Sequence, residues 1–181
     1  MTANVAVIGA GPAGLVVSRW LLSQGLQPSI FEEGSSLGGQ WTARLGRSGV
    51  WPGMHTNTSR ILTAFSICRS TAISYFPRAQ TFSTTCTVTP ACSSWTPGFG
   101  SGVRVDAVAR AGQRWVVSHD GIDEHFDRVV IATGRFHSAF VPPVPGLDTF
   151  AGSAGAITSY EYRGPSPLIA TSACWSRGGA R

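Results

Sequence analysis

Three glycines and one carboxylate are placed where the chain could hold a nucleotide. Gly9, Gly11 and Gly14 follow the apolar run Val5-Ala6-Val7-Ile8 and lead into a helix-like stretch from Leu15 to Leu22. The next apolar run, Ser29-Ile30-Phe31, ends in Glu32, at the ~20-residue offset of the acid that holds a ribose hydroxyl in dinucleotide sites. Such chemistry needs no lysine. A diphosphate rests on the free N–H groups and positive end of a helix, and Gly9, Ala10, Gly11, Pro12, Ala13 and Gly14 are the candidate cradle. Gly9 gives the tight turn, Gly11 lets backbone approach the diphosphate, and Gly14 lets the helix pack closely. Any one of these glycines reads alone as a turn residue, and Glu32 alone as a solvated strand end. The order strand, glycines, helix, strand, acid makes the dinucleotide site.

Glu33-Gly34-Ser35-Ser36-Leu37-Gly38-Gly39-Gln40-Trp41 closes a second glycine turn, and Met54-His55-Thr56-Asn57-Thr58-Ser59-Arg60 adds a polar cluster. With these segments the sequence resembles the flavin-containing monooxygenases, which are built from two dinucleotide domains and are related to the Baeyer-Villiger enzymes. The resemblance implies that FAD is bound by the glycine cradle, with Glu32 on the adenosine ribose. It places Gln40 and Trp41 along the cofactor, Asn57 at the reacting face of the flavin as the candidate catalytic residue, and Thr58 beside it. Without the resemblance, Trp41 reads as core packing and Asn57 as a turn residue.

Arg114-Trp115-Val116-Val117 and Phe126-Asp127-Arg128-Val129-Val130-Ile131 flank His119-Asp120-Gly121, a pattern that predicts a hairpin with an Asp-Gly turn. The run then enters Ala132-Thr133-Gly134, which resembles the turn returning these flavoproteins to their FAD domain and adds Thr133 and Gly134 to the cofactor candidates. Val141-Pro142-Pro143-Val144-Pro145-Gly146-Leu147 is similar to the family's connector, and Phe150-Ala151-Gly152 through Tyr160-Glu161-Tyr162 to its phenylalanine-glycine fingerprint. The histidine of that fingerprint is replaced here by Thr158, a departure that bears on control by nicotinamide.

Composition breaks sharply in the middle of the chain. Charged residues make up 13% of the 181, against ~25% in ordinary soluble domains, and no Asp or Glu occurs between Glu33 and Asp106. Cys68, Cys86, Cys92 and Cys174 all fall in two stretches unlike the family, Ile67–Trp95 and Ile169–Arg181. The first stretch has no sustained period of two or 3.6. Reading a GC-rich gene one nucleotide out of frame restores an acidic, helically periodic segment there, and a strand meeting a glycine turn in the tail. The expectation is therefore a frame-disrupted, truncated family member, with the breaks near the codons for Ser66, Gly98 and Leu168. Resequencing that finds no missing or extra base at those codons overturns it.

The net charge of +5 reflects missing carboxylates rather than a basic run, so nucleic acid is not an expected partner. The cysteines form neither a Cys-x-x-Cys pair nor a zinc spacing, so no metal is expected. His55, His119, His125 and His137 read as surface or turn residues. No apolar run reaches the ~20 residues that cross a membrane, and no signal segment precedes Val5, which points to the cytoplasm and to no membrane partner.

The fold expected is α/β, a Rossmann-like FAD-binding domain. Its parallel sheet begins with residues 4–9 and 28–32. An antiparallel excursion is expected over about Val103–Val117 and Phe126–Ile131, and the fold is incomplete at the C-terminus. The organisation read is 1–66 as the first half of the FAD-binding domain and 67–97 as an anomalous, loop-like segment with no packed helix over 80–92. Residues 98–150 hold the excursion and the return, and 151–181 the truncated start of an NADP-binding domain. In the intact family NADPH is the reductant, and its domain is incomplete here. Two functions follow: an FAD-dependent oxidoreductase acting with NADPH and O2 on a small-molecule nitrogen, sulfur or ketone, inactive as this fragment; or a non-catalytic remnant that binds FAD or another nucleotide weakly. An NAD-dependent dehydrogenase is disfavoured by the Gly38–Trp41 and Ala132–Gly134 turns. Substrate and oligomeric state are not written in the sequence.

Overall fold

A computed structural model of the chain describes residues 2–42, 48–51, 53–63, 99–135, 140–152 and 155–164. Strand β1 (Asn4–Ile8) is almost wholly buried, as a strand covered on both faces must be. It leads through the glycine turn into helix α1 (Pro12–Ser23). Proline suits the first helical position, where its missing N–H costs nothing. The helix ends in a Schellman motif at Gly25, φ 72°. There Leu26 N–H donates to the Leu21 carbonyl and Gly25 N–H to that of Leu22, both at 3.0 Å, so the last turn keeps its carbonyls paired. Strand β2 (Gln27–Glu32) follows, then a 3-10 turn over Gly39–Thr42 and the short helix α2 (Arg60–Thr63).

Strand β3 (Phe99–Ser101) lies parallel to β2. The excursion is β4 (Val105–Ala111), β5 (Arg114–His119) and β6 (Ile122–Phe126), and β7 (Arg128–Ile131) follows. The described strands form a four-stranded parallel sheet in the order β3-β2-β1-β7 and a three-stranded antiparallel sheet β4-β5-β6. This is the Rossmann-like parallel sheet with an antiparallel excursion that the sequence predicts.

Side-chain alternation joins the layers. On one face of the parallel sheet Ala6 and Phe31 pack with Val117 and Phe126 of the antiparallel sheet; on the other, Val7, Ala10 and Ile30 pack with Leu21 of α1 and with Val130. Successive residues of β1 and β2 thus serve opposite cores, as period two requires. The Phe31 and Phe126 rings meet edge-on at 5.8 Å.

The expected Asp-Gly turn is present: Asp120 (φ 48°) and Gly121 (φ 76°) are both left-handed, as a two-residue turn matching strand twist demands. One strand assignment is corrected. Phe126–Ile131 is not the return strand of the hairpin; Ile122–Phe126 pairs antiparallel with β5, whereas Arg128–Ile131 joins β1 in parallel. The break falls at Asp127. Its carboxylate accepts from Asn4 N–H at 2.9 Å, and its own N–H donates to Asn4 Oδ1 at 3.0 Å, which swings the chain from one sheet to the other. The strand β3 was also not foreseen, being only three residues long. The anomalous stretch Ile67–Trp95, including the excluded helix over 80–92, and the tail from 169 lie outside the described residues.

Candidate functional site

Gly9 leaves β1 with φ +102°, and a Cβ there would lie 2.5 Å from the Ala132 carbonyl oxygen and 3.2 Å from Thr133 Cα. The glycine is therefore required both by its conformation and by the return strand pressed against it. Ala132 N–H donates to the Ile8 carbonyl at 2.8 Å and Gly9 N–H to that of Phe31 at 2.8 Å, so β7 and β2 clamp the turn from both sides. Gly14 is closed by contact with the turn itself, since its Cβ would meet the Gly9 carbonyl oxygen at 1.9 Å. The sequence assigns Gly14 to helix packing; the structure specifies that its neighbours are Gly9 and Ala132.

Gly11 differs from both. It is the N-cap of α1 with φ −71° and ψ 178°, and no side chain caps the helix. Among the described residues, an added Cβ would meet nothing nearer than Gly39 Cα at 3.8 Å, an ordinary contact. Pro12 has no N–H, and the amides of Ala13 and Gly14 precede the first helical bond, from Leu15 N–H to Gly11 at 3.0 Å. Ala13 is exposed at this end, whereas Ala10 is buried.

Glu32 ends β2 with its carboxylate turned back over the cradle. Oε2 accepts from Ala10 N–H at 2.8 Å and Oε1 from Gly34 N–H at 2.7 Å, and the residue is buried. Each oxygen keeps acceptor capacity beyond these bonds. Backbone from the start of the excursion fixes the segment further: Val103 N–H donates to the Glu32 carbonyl at 2.9 Å, and Gly102 N–H to that of Gly34 at 3.0 Å.

The second glycine turn folds onto the first. Gly38 N–H donates to the Ala10 carbonyl at 2.9 Å, and Gly39, at φ +58°, sits so near Gly11 that a Cβ would lie 2.9 Å from Gly11 Cα. This contact carries Gln40 and Trp41, which belong to the 3-10 turn, to the rim of the cradle; Gln40 is exposed and Trp41 half-buried. Gly38 and Gly39 belong to the second glycine turn that the sequence already singles out; the structure adds Gly34, whose signal was the glycine content of the segment after Glu32.

Asn57 and Thr58 are exposed. Thr58 Oγ1 lies 2.6 Å from Thr63 Oγ1, Thr56 Oγ1 donates to the Thr58 carbonyl at 2.8 Å, and Ser59 Oγ caps α2 through Leu62 N–H at 3.4 Å. These bonds stay within the turn and α2, so they give the segment its shape without joining it to the cradle. Thr133 and Gly134 are exposed at the end of β7, and Thr133 is joined to the cradle through its backbone beside Gly9.

The expected role of His119 as a surface or turn residue is corrected: the side chain is buried. It stands on the inner face of β5, its ring 5.1 Å from that of Phe31, and its Nε2 lies 2.7 Å from Glu124 Oε1. The Glu124 hydrogen bond, against the opposing effect of burial and with help from Asp120, raises the imidazole above its ordinary value of 6.5. At the other end, Thr158 N–H donates to the Glu161 carboxylate at 2.6 Å, which holds that carboxyl below its usual range. Thr158, which the resemblance sets in place of the fingerprint histidine, thus begins a turn closed by Glu161. Among the described residues no group of three or more His, Cys, Asp or Glu could hold a metal ion, and no helix is long and apolar enough to cross a membrane.

Residues 3–162 match the family described as pyridine nucleotide-disulphide oxidoreductase. The chain is 28% identical over 191 aligned residues to dimethylaniline monooxygenase (N-oxide-forming) 2 of Macaca mulatta, an alignment covering 90% of this chain and 33% of the relative. Among solved structures it is similar to the S-allyl-L-cysteine S-oxygenase of Allium sativum, with a TM-score of 0.76 and 27% identity over 90% of this chain and 43% of that one. A flavin-containing monooxygenase from Stenotrophomonas maltophilia shares the fold with a TM-score of 0.74 at 24% identity, over 92% of this chain and 48% of that one. The chain thus spans about a third of the length of the Macaca relative.

Proposed function

Because the chain belongs to the pyridine nucleotide-disulphide oxidoreductase family and its relatives are flavin monooxygenases, we propose that it is the FAD-binding part of an NADPH- and O2-dependent monooxygenase acting on a small molecule. The observation that carries this is the room at Gly11. Its extended backbone is one any residue adopts, and the described residues leave space for a Cβ. The fold itself therefore does not demand glycine there. A ligand that must come within hydrogen-bond reach of the backbone does, and the uncapped helix end behind it suits a diphosphate. Gly9 and Gly14 shape the turn, Ala10 orients the Glu32 carboxylate toward a ribose, and Pro12 and Ala13 open the helix toward the phosphates. Gln40 and Trp41 form a wall, Thr133 and Gly134 border the opposite side, and Asn57 with Thr58 faces the flavin in the assembled site.

Bound FAD supplies the redox chemistry, and the protein supplies binding, orientation and exclusion of water. The substrate class proposed is a nucleophilic nitrogen or sulfur centre, or a ketone. Disulphide exchange is not part of the proposal, since cysteines at 68, 86, 92 and 174 include no Cys-x-x-Cys pair. A second reading, a nucleotide-binding module without turnover, is favoured by Thr158 standing where the resemblance expects the histidine of the family fingerprint. Titrating the purified chain with FAD tests the shared claim: a flavin spectrum that stays with the protein supports it, and no uptake overturns it. NADPH-dependent oxygen uptake by the flavin-loaded chain then favours the enzyme, and its absence the module.

A further inference from the structure

The segment 155–164 is docked on 48–51, and that contact leads back to the cofactor cradle. The rings of Trp51 and Tyr162 meet edge-on at 4.9 Å, and a Cβ on Gly49 would lie 3.7 Å from the Ser159 carbonyl oxygen. Beside them Arg163 Nη1 donates to the Ser48 carbonyl at 3.1 Å. Ser48 is buried to 1% exposure, and its hydroxyl is used twice: it donates to the Gln40 carbonyl and accepts from Val50 N–H at 3.1 Å. Gln40 belongs to the 3-10 turn that begins at Gly39, and Gly39 is the residue packed on Gly11.

We propose that Arg163 is a positioning residue for the FAD site, acting through Ser48 to hold the Gly39–Thr42 turn against the diphosphate cradle. The inference rests on the cradle reading above and adds a residue remote in sequence from the glycine fingerprint. The physical reason is directional. The 3-10 turn offers a carbonyl at Gln40 that a buried hydroxyl fixes; the hydroxyl's own backbone is fixed in turn by a planar guanidinium able to donate from more than one nitrogen. A side chain so placed sets the position of the Gln40–Trp41 wall without touching the cofactor. The segment in which the sequence resembles the family's phenylalanine-glycine fingerprint thereby contributes to affinity in the first dinucleotide site.

The test compares the 181-residue chain with Arg163→Ala, Arg163→Lys, Ser48→Ala and the double variant, measuring FAD dissociation constants and the urea midpoint of each apoprotein. Losing one such bond is expected to weaken FAD about fivefold in Arg163→Ala and in Ser48→Ala. The double variant should be no weaker than the worse single, because both act in one relay. Arg163→Lys, which still donates to the Ser48 carbonyl, should return to within about twofold of the unaltered chain. Full affinity in Arg163→Ala, or single losses that multiply in the double variant, would overturn the inference. So would a loss in Arg163→Ala that only follows a fall in urea midpoint and is not rescued by lysine. If the unaltered chain takes up no FAD, the cradle reading falls as well; if it binds FAD and Arg163→Ala binds equally well, this inference alone falls.

Discussion

Replacing Gly11 by alanine should separate what the fold needs from what the ligand needs. At φ −71° and ψ 178° alanine is unstrained, and among the described residues its methyl would touch only Gly39 Cα at 3.8 Å. Restricting the unfolded chain stabilises by about 0.4–1 kcal/mol, and the N-cap preference for glycine over alanine offsets a similar amount. The apoprotein should therefore change by less than about 1 kcal/mol. The same methyl occupies the approach to the diphosphate. Forfeiting one hydrogen bond to a charged oxygen costs about 1.5–3 kcal/mol, or roughly 10- to 100-fold in FAD affinity. Gly14→Ala is the contrast. Its methyl would lie 1.9 Å from the Gly9 carbonyl oxygen, so helix and turn must separate by about 1.4 Å to reach an ordinary C···O distance of ~3.3 Å. Overpacking of that kind costs about 1–3 kcal/mol, reduced by about 1 kcal/mol for the better helix former, so stability and affinity should fall together. Urea titration of the apoproteins and quenching of flavin fluorescence read the two quantities. Gly11→Ala binding FAD as tightly as the unaltered chain would refute the placement of the diphosphate.

Glu32→Gln should destabilise the apoprotein by about 1–3 kcal/mol and abolish tight FAD binding, because an amide NH2 would face Ala10 N–H or Gly34 N–H; unchanged urea midpoints would contradict this. Asn4→Ala removes the acceptor of Asp127 N–H and the donor to the His125 carbonyl, and a loss of about 1–2 kcal/mol in chemical denaturation is expected. For His119, the folded pKa lies above the ordinary 6.5. Its contribution is thus fully present below that value and lost as pH rises through the folded pKa. Stability measured across that window should fall more steeply for the unaltered chain than for Glu124→Gln, and parallel curves would exclude the proposed pair.

The parts legible in the sequence were those whose meaning is local. Gly9, Gly11 and Gly14 announce a turn before a helix, and Asp120-Gly121 a two-residue hairpin loop, because the backbone conformations they permit are confined to a few residues. Phe126–Ile131 was misread as one strand for the complementary reason: its apolar pattern continues across Asp127, and only Asn4, at the other end of the chain, says where the sheets part. The burial of His119 depended on its sheet packing its ring against Phe31 of β2, a contact between elements far apart in sequence. The packing of Gly39 on Gly11 was hidden because two glycines touching through backbone leave no side-chain pattern to read.

The press of Ala132 against Gly9 has a consequence for how the protein comes into being. The glycine motif is synthesised almost first, yet its outer wall arrives only with β7, after the whole antiparallel excursion has been made. Contacts so distant along the chain form late, whereas the hairpins of β4–β6 can close on their own. A nascent chain ending before Ala132 would carry the whole glycine motif and Glu32 and still lack the wall behind Gly9, so capture of the dinucleotide should come late in folding rather than at its beginning.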